Sequence, residues 1–182
     1  MKPGDHPEFH RLPPPAGTSR ESGIVLDRHG RFWHDGRRVE HAGMARAFHS
    51  WIARHPDDGR FILDNGFDWT YFEVEDVPFL VRSFGLVGGE PVVELSDGSC
   101  EGLDVATLRL GPNHALYADV KRGSMSARFT SQAQSALAPF LRDEGDEVVL
   151  EVAGRRTRLG SSESPAEAGK THVSSQKGGP SG

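Results

Sequence analysis

Two kinds of apolar spacing alternate along the chain. Ile24-Val25-Leu26 predicts a strand, and Asp35-Gly36 predicts the tight turn of a hairpin shortly after it. Extended patterns resume at residues 61–63 and 68–82, with a turn between them at Asn65-Gly66. Between these strands the spacing becomes helical, and the residues that share one face of this helix are Met44, Phe48, Trp51 and Ile52.

The same succession recurs later in the sequence. Strand patterns at residues 116–120 and 125–129 precede a second helix, for which Ser131 and Gln134 predict a capping box. Pro139 predicts that this helix is kinked or confined to its last turn there. The apolar residues of the second helix each lie 89 positions after their counterparts in the first, and they are Ala133, Leu137, Phe140 and Leu141.

These patterns predict an α+β fold of two repeated hairpin-helix-hairpin units with a mostly antiparallel sheet. The first unit is expected at residues 23–84, and linking strands with the second unit at residues 85–160. Residues 1–22 and 161–182 are rich in small and polar residues, so both are predicted to be disordered tails. A proline-rich docking site at Pro13-Pro14-Pro15 is the functional alternative for the first tail.

Composition and charge narrow the functional classes. A formal net charge of -5 and a pI near 6.0 argue against nucleic-acid binding and give no support to attraction by a membrane surface. No apolar run is long enough to span a bilayer, and the first residues lack the apolar centre of a secretory signal. The single cysteine, Cys100, excludes an intramolecular disulfide and fits a reducing compartment. We therefore expect a cytoplasmic protein, predict no cofactor, and leave the oligomeric state open.

Histidines and carboxylates are the candidates for chemistry. No metal site is predicted, because no His-Glu-x-x-His motif and no pair at i, i+4 spacing occurs among His29, His34, His41, His49, His55 and His114. A site assembled from distant histidines is the alternative. The hypothesis of a carboxylate- or metal-dependent hydrolase rests on an acidic cluster, which consists of Asp64, Asp68, Glu73, Glu75 and Asp76.

A binding surface is predicted on the strand after Asp68. Alternation directs Thr70, Phe72 and Val74 to the core and the residues between them to the other face. On that face the rings of Trp69 and Tyr71 would form the floor of a shallow pocket, and charged side chains would form its walls. The predicted ligand-binding residues are Arg31, Trp33, Trp69, Tyr71, Glu73 and Arg82. The leading hypothesis is a non-catalytic binding or regulatory domain whose partner is an unidentified small molecule or protein.

Residues 58–61 and 72–79, with residues 24–34 upstream, resemble a bacterial family catalogued as domain of unknown function 1285. The most specific piece is Val-Glu-Asp-Val-Pro-Phe, which ends at Phe79. The resemblance covers residues 24–84, and it implies an α+β fold of repeated motifs and a part in signalling. Where family members often carry His-Pro before Leu-Arg, this chain has Ala106-Thr107, so a site built on that histidine would be absent.

Overall fold

The computed structural model describes residues 2–152 and 154–161 of the chain. Its helices are α1 (Ala42–Trp51) and α2 (Ser131–Leu137). The strands, numbered along the chain, are β1 (Glu21–Leu26), β2 (Phe32–His34), β3 (Arg37–Arg38), β4 (Ile52–Arg54), β5 (Phe61–Asp64), β6 (Trp69–Val74), β7 (Phe79–Val87), β8 (Glu90–Leu95), β9 (Cys100–Gly102), β10 (Arg109–Leu110), β11 (Leu116–Val120), β12 (Met125–Phe129), β13 (Leu141–Glu144), β14 (Glu147–Val152), β15 (Arg155–Arg158) and β16 (Gly160–Ser161).

The strands form three sheets. The first has the order β3-β2-β1-β6-β5-β4, the second has the order β16-β10-β11-β12-β7-β8-β9, and the third is the meander β13-β14-β15. Most neighbouring strands are antiparallel, as predicted, and the parallel pairs within the described residues are β1 with β6, β7 with β12, and β10 with β16. The sequence therefore gives an α+β fold in which hairpins and meanders supply most of the pairing.

Two repeated units are present, as the apolar spacing indicates. In each, a hairpin precedes a helix and a three-stranded meander follows it, directly in the first unit and after a 3₁₀ turn in the second. In the first unit the meander β4-β5-β6 joins its own hairpin through the parallel pair of β1 and β6. In the second unit the meander forms the third sheet instead, and the parallel neighbour of the hairpin is β7, which lies beside its second strand, β12. Below, the first unit denotes residues 21–74 and the second unit residues 79–161.

Local signals explain where the elements begin and end. The β2-β3 hairpin turns at Asp35 and Gly36, whose positive φ values of 48° and 75° are those that its two-residue turn needs. Helix α2 ends at Leu137, because Pro139 lacks a backbone N–H and the chain continues in a 3₁₀ turn over Ala138–Phe140. The prediction for Pro139 is thus confirmed.

Two predictions about the helices are wrong. Met44 does not face the core, since its side chain is 50% exposed, and the helical residue that is buried is His49. The capping box is also absent: Thr130 is the N-cap, with its Oγ1 accepting from the Ala133 N–H. Gln134 instead donates from Nε2 to the His114 carbonyl oxygen at 2.8 Å, because the preceding loop passes within its reach.

One apolar core joins the two units. Leu26, Phe32 and Phe72 from the first unit belong to the same buried cluster as Val81 and Leu137 from the second. The turn before β2 touches the second unit at Gly30, where a Cβ would lie 2.7 Å from Leu80 Cδ1. Gly30 also has a φ of +76°, so both the backbone and the close approach favour glycine here.

The expected disorder of residues 1–22 is corrected by the structure. Residues 2–20, named here the N-terminal strap, form 3₁₀ turns at Pro3–Asp5 and Phe9–Arg11 and lie against the first sheet, while Glu21 begins β1. The buried side chain of Phe9 fixes this segment to the sheet, which the mostly polar composition of the segment did not predict. The predicted tail at 161–182 lies, apart from Ser161, outside the described residues. In the part of the chain described, no helix has the length and apolar character to cross a membrane.

Candidate functional site

The outer face of the first sheet, away from the main core, carries most of the predicted binding residues. Alternation along β6 buries Phe72 in the main core and places Trp69, Tyr71 and Glu73 on the opposite face. The register sets Glu73 beside Val25 and Val25 beside Trp33, so these residues form one row across the sheet. The rings of Trp69 and Tyr71 meet edge to face, with centroids 5.1 Å apart.

The N-terminal strap covers part of this face. Phe9 and Trp69 are each only 5% exposed, and they pack together with the fully buried Ile62. The Trp69 Nε1–H donates to the Phe9 carbonyl oxygen at 3.4 Å, and the Gly4 N–H donates to the Gly66 carbonyl oxygen at 2.9 Å. Trp69 is therefore not the exposed aromatic that a shallow pocket was expected to present.

Imidazole rings extend this contact between strap and sheet. The His55 ring lies 5.0 Å from Trp69 and 5.5 Å from Tyr71, and the His10 ring lies 5.8 Å from that of His55. His55 Nε2 is 3.1 Å from the His10 carbonyl oxygen, which can only accept, so Nε2 carries the proton. We name Ile62, Trp69, Tyr71 and His55, with Asp57 and Asp64 at the margin, the strap surface.

Basic side chains of the strap contact carboxylates of the first unit. His10 Nε2 lies 2.8 Å from Asp64 Oδ2, and Arg11 binds both carboxylate oxygens of Asp57 at 2.9 Å. The hydrogen bond from Arg11 lowers the pKa of Asp57, and the same pairing raises the pKa of Arg11. The strap is thus matched to its surface in charge as well as in shape.

Arg20 and Tyr71 complete this region. The Arg20 guanidinium lies 4.4 Å from the Trp69 ring centroid and donates to Asp68 at 2.5 Å. The Tyr71 hydroxyl donates to Asp58 Oδ2 at 2.8 Å, and burial together with this carboxylate raises the pKa of the phenol. Sequence reasoning missed Phe9, His10 and His55, although Phe9 is the single aromatic residue in the first 22 and precedes two basic side chains.

Arg31 and Trp33 are held by a buried carboxylate. Asp27 accepts hydrogen bonds from the Arg31 N–H, the Arg31 Nε–H, the Trp33 Nε1–H and the His29 N–H, at 2.7 to 3.0 Å. Burial opposes ionisation of Asp27, but the hydrogen bonds from Trp33, Arg31 and His29 outweigh it and lower its pKa to about 2. The polar ends of both predicted residues therefore stabilise the turn between β1 and β2. Glu73 is exposed, and Arg82 belongs to β7 in the second sheet.

The acidic cluster does not converge on one site. Asp64 pairs with His10, Asp68 with Arg20, and Asp76 with Arg128, while Glu75 accepts from the Arg28 N–H. Each of these carboxylates thus has a separate partner. In the described residues there is also no group of three or more histidine, cysteine, aspartate or glutamate side chains that could hold a metal ion.

A second concave region lies between the units. This interunit cavity, of about 410 Å³, is bounded by the end of α1 and by β4 on one side, and by β7 and the turns before β9 and β12 on the other. Lys121 Nζ donates to Asp97 Oδ2 and to Ser99 Oγ, both at 2.6 Å. Ser99 and Lys121 have the spacing of a nucleophile and base, but an ammonium that donates to a carboxylate has no lone pair to accept the hydroxyl proton.

His49 is a buried polar residue that lines the same cavity and is 3% exposed. Its Nε2 lies 3.2 Å from the Gly30 carbonyl oxygen, so Nε2 carries the proton and Nδ1 is an acceptor. Burial lowers the pKa of His49, which keeps the ring neutral. Nδ1 has no hydrogen-bond partner within the described residues, and a buried acceptor without a donor costs about 1–3 kcal/mol.

The fold matches two solved structures whose sequences have low identity to this chain. One is a DUF1285 family protein from Silicibacter pomeroyi, with a TM-score of 0.60 and 17% identity over 82% of this chain and 91% of that chain. The other is a DUF1285 family protein from Shewanella baltica, with a TM-score of 0.53 and 19% identity over 66% of this chain and 94% of that chain. No family model matches the sequence, and no curated protein matches it. The resemblance predicted from the sequence is therefore confirmed at the level of the fold.

Proposed function

We propose that this protein is a cytoplasmic, non-catalytic binding domain, and that it recognises a partner segment at the strap surface. The observation that supports this proposal is the seat of Phe9, where a short segment of the chain buries one aromatic ring in a cluster with Trp69 and Ile62. Buried aromatic anchors surrounded by polar pairs are how proteins commonly recognise peptides. The strap is then an intramolecular ligand of the strap surface, and a partner binds there by displacing it.

The chemistry of the strap surface defines the partner. Asp57 and Asp64 flank the seat of Phe9 and pair there with Arg11 and His10. A segment with an aromatic residue followed by basic side chains satisfies both the apolar seat and the carboxylates. The proposal includes a regulatory role and a part in signalling, because binding at the strap surface would require release of the strap.

The strap can be displaced at moderate cost. Burying a phenylalanine stabilises the bound strap by about 1.5–3 kcal/mol. The exposed pair of Arg11 and Asp57 adds little, because water and salt screen it. If the bound strap is favoured over the released strap by about 3 kcal/mol, roughly 1% of the molecules have the strap released. A partner can bind to this fraction.

A peptide offered in trans tests the proposal. The peptide carries residues 6–13 of the strap and a fluorophore, and fluorescence anisotropy measures its binding to the full chain. We expect Phe9→Ala protein to bind it at least about tenfold more tightly than wild type, because the seat is then vacated.

Matched controls separate anchoring from non-specific adhesion. Leu12→Ala removes an exposed apolar residue of the same strap and should behave as wild type. A peptide with alanine in place of its phenylalanine should not bind the Phe9→Ala protein. If circular dichroism shows that this protein is folded and it still does not bind the unmodified peptide, the proposed recognition is wrong.

A further inference from the structure

The hairpin of β7 and β8 extends beyond the rest of the second sheet. Strand β12 pairs with β7 at residues 79–81, although β7 continues to Val87. Residues 83–87 pair with β8 on one side, and within the described residues no backbone hydrogen bond from another segment reaches their other side. Leu86 and Val87 are 42% and 68% exposed, and Gly85 before them is exposed too. We name residues 83–87 the open edge.

The open edge differs from the strands at the ends of the three sheets. Those strands have two to four residues, and the two of the third sheet carry several charged side chains. Short or charged strands are how proteins commonly prevent further pairing at an edge. The open edge reads Ser-Phe-Gly-Leu-Val and contains neither a charged residue nor a proline. It is therefore suited to pairing with another strand.

The pairing within the hairpin shows which backbone groups point into the open edge. In an antiparallel ladder, opposite residues alternate between pairs that are hydrogen-bonded to each other and pairs that are not. Leu86 lies opposite Pro91, which has no N–H and whose carbonyl oxygen accepts from the Leu103 N–H on the side away from β7. The pair of Leu86 and Pro91 is therefore not hydrogen-bonded across the hairpin. The N–H and C=O groups of Leu86, and by alternation those of Phe84, point into the open edge.

The open edge is complementary to itself. If two copies pair antiparallel about a twofold axis at Gly85, Phe84 of each copy lies opposite Leu86 of the other. The outward N–H groups of both residues then gain carbonyl acceptors. Their side chains share one face of the strand, so each apolar side chain gains an apolar neighbour and no like charges meet. Gly85 has no side chain at the axis, and a Cβ there would have no heavy atom within 4 Å.

We propose that the open edge joins two copies of this chain, through antiparallel pairing of residues 83–87 with the same residues of a second copy. The second sheets of the two copies then form one continuous sheet. The contact is short, and interfaces below about 1,200 Å² are typical of weak association, so the dimer forms at high protein concentration. The inference does not depend on the proposed function, because the strap surface belongs to the first sheet.

Analytical ultracentrifugation of the full chain provides the first test. Between about 10 µM and 1 mM, we expect the weight-average mass to rise from that of the monomer towards that of the dimer. Leu86→Lys replaces the apolar contact by a charge and should weaken dimerisation at least about tenfold. Met44→Lys is the matched control, because it adds the same charge at another exposed apolar residue, and it should dimerise as wild type does.

Two outcomes of this experiment would overturn the proposal. One is a wild-type chain that remains monomeric at about 1 mM, which would leave the open edge to a strand of a different protein. The other is an equal loss of dimer in Leu86→Lys and Met44→Lys, which would show a general effect of charge. Circular dichroism of both variants checks that they are folded.

A disulfide across the twofold axis tests the register. In a Cys100→Ser chain, Gly85→Cys places two thiols opposite each other in a pair that is not hydrogen-bonded. The Cα atoms of such a pair are about 4.5 Å apart, which allows a disulfide. Cysteine fits at this position, because Gly85 does not have a positive φ and has free space around its Cα.

Val87→Cys in the same Cys100→Ser chain is the control. In the proposed register the two copies of residue 87 are about 13 Å apart, which is too far for a disulfide. On oxidation with oxidised glutathione, we expect Gly85→Cys to form a covalent dimer on a non-reducing gel at least about tenfold faster than Val87→Cys. Equal rates would refute pairing about Gly85.

Discussion

At the scale of single residues, Asp27 shows how a buried charge is used to fix a turn. Its carboxylate accepts four hydrogen bonds from residues of the same turn and of β2, so the chain closes around it. Because these donors favour the ionised form, the pKa of Asp27 falls from 3.8 to about 2 on folding. The group therefore stabilises the fold above its unfolded pKa and loses that contribution as the pH falls towards 2.

Asp27→Asn should make the unfolding free energy less dependent on pH in the acid range where Asp27 titrates. Since the pKa is lowered in the folded state, wild type should lose about 2 kcal/mol of unfolding free energy through this group between about pH 5 and pH 2. The variant should be less stable than wild type at pH 7, and the gap should narrow towards pH 2. Urea unfolding followed by circular dichroism measures this gap, and a gap independent of pH would contradict the assignment.

Residue-level predictions succeeded where the signal is local. Asp35-Gly36 predicts its turn because two adjacent residues must adopt positive φ, and their side chains allow it. The alternation that sends Phe72 to the core is equally local. Trp69 was expected on an open surface, but Phe9 packs over it. The two residues are 60 positions apart, and the sequence near either of them does not predict this contact. The roles of Glu73 and Arg82 in binding stay predictions.

At the scale of elements, the junction of helix and strand is the common feature of the two units. Helix α1 ends at Trp51 and β4 begins at Ile52. The matching residue in the apolar pattern of the second helix, Leu141, likewise begins a strand, β13. The spacing of 89 positions is thus preserved, although its last member belongs to a strand. A helical period cannot reveal this change, because one further apolar residue fits either element.

Thr130, and not Ser131, should carry the capping energy of α2. Thr130→Ala removes the acceptor of the Ala133 N–H and should lower the unfolding free energy by about 1 kcal/mol. Ser131→Ala changes an exposed hydroxyl in the first turn and should have almost no effect. Urea denaturation of both variants measures the difference. Equal losses of unfolding free energy would contradict Thr130 as the N-cap and favour Ser131, as predicted from the sequence.

At the scale of the whole molecule, the two units share one core and should unfold together. Phe72 and Leu137, from different units, belong to the same buried cluster, and β7 of the second sheet continues the chain directly after the first sheet. Cooperative unfolding is expected when apolar contacts cross the boundary between repeats. The sequence predicted the repeat but not this shared core, since the parallel partner of β12 comes from β7 and not from the meander of its own unit.

Leu137→Ala tests this cooperativity with probes in the other unit. The three tryptophans, Trp33, Trp51 and Trp69, all lie in the first unit, whereas Leu137 is fully buried in the second. Removing its side chain should cost about 2–5 kcal/mol, and tryptophan fluorescence should report that loss in full. The exposed Gln132→Ala on the same helix is the control. A fluorescence transition unchanged by Leu137→Ala would mean that the units unfold independently.

The N-terminal strap also sets a concentration scale for any partner. A short tether holds Phe9 near its seat at an effective concentration of about 1 mM. A partner at about 1 µM must therefore bind the strap surface roughly a thousand times more tightly than the strap does in order to occupy half of the molecules. The tether thus acts as a threshold, which is passed by partners that are locally concentrated, multivalent or better fitted to the seat of Phe9.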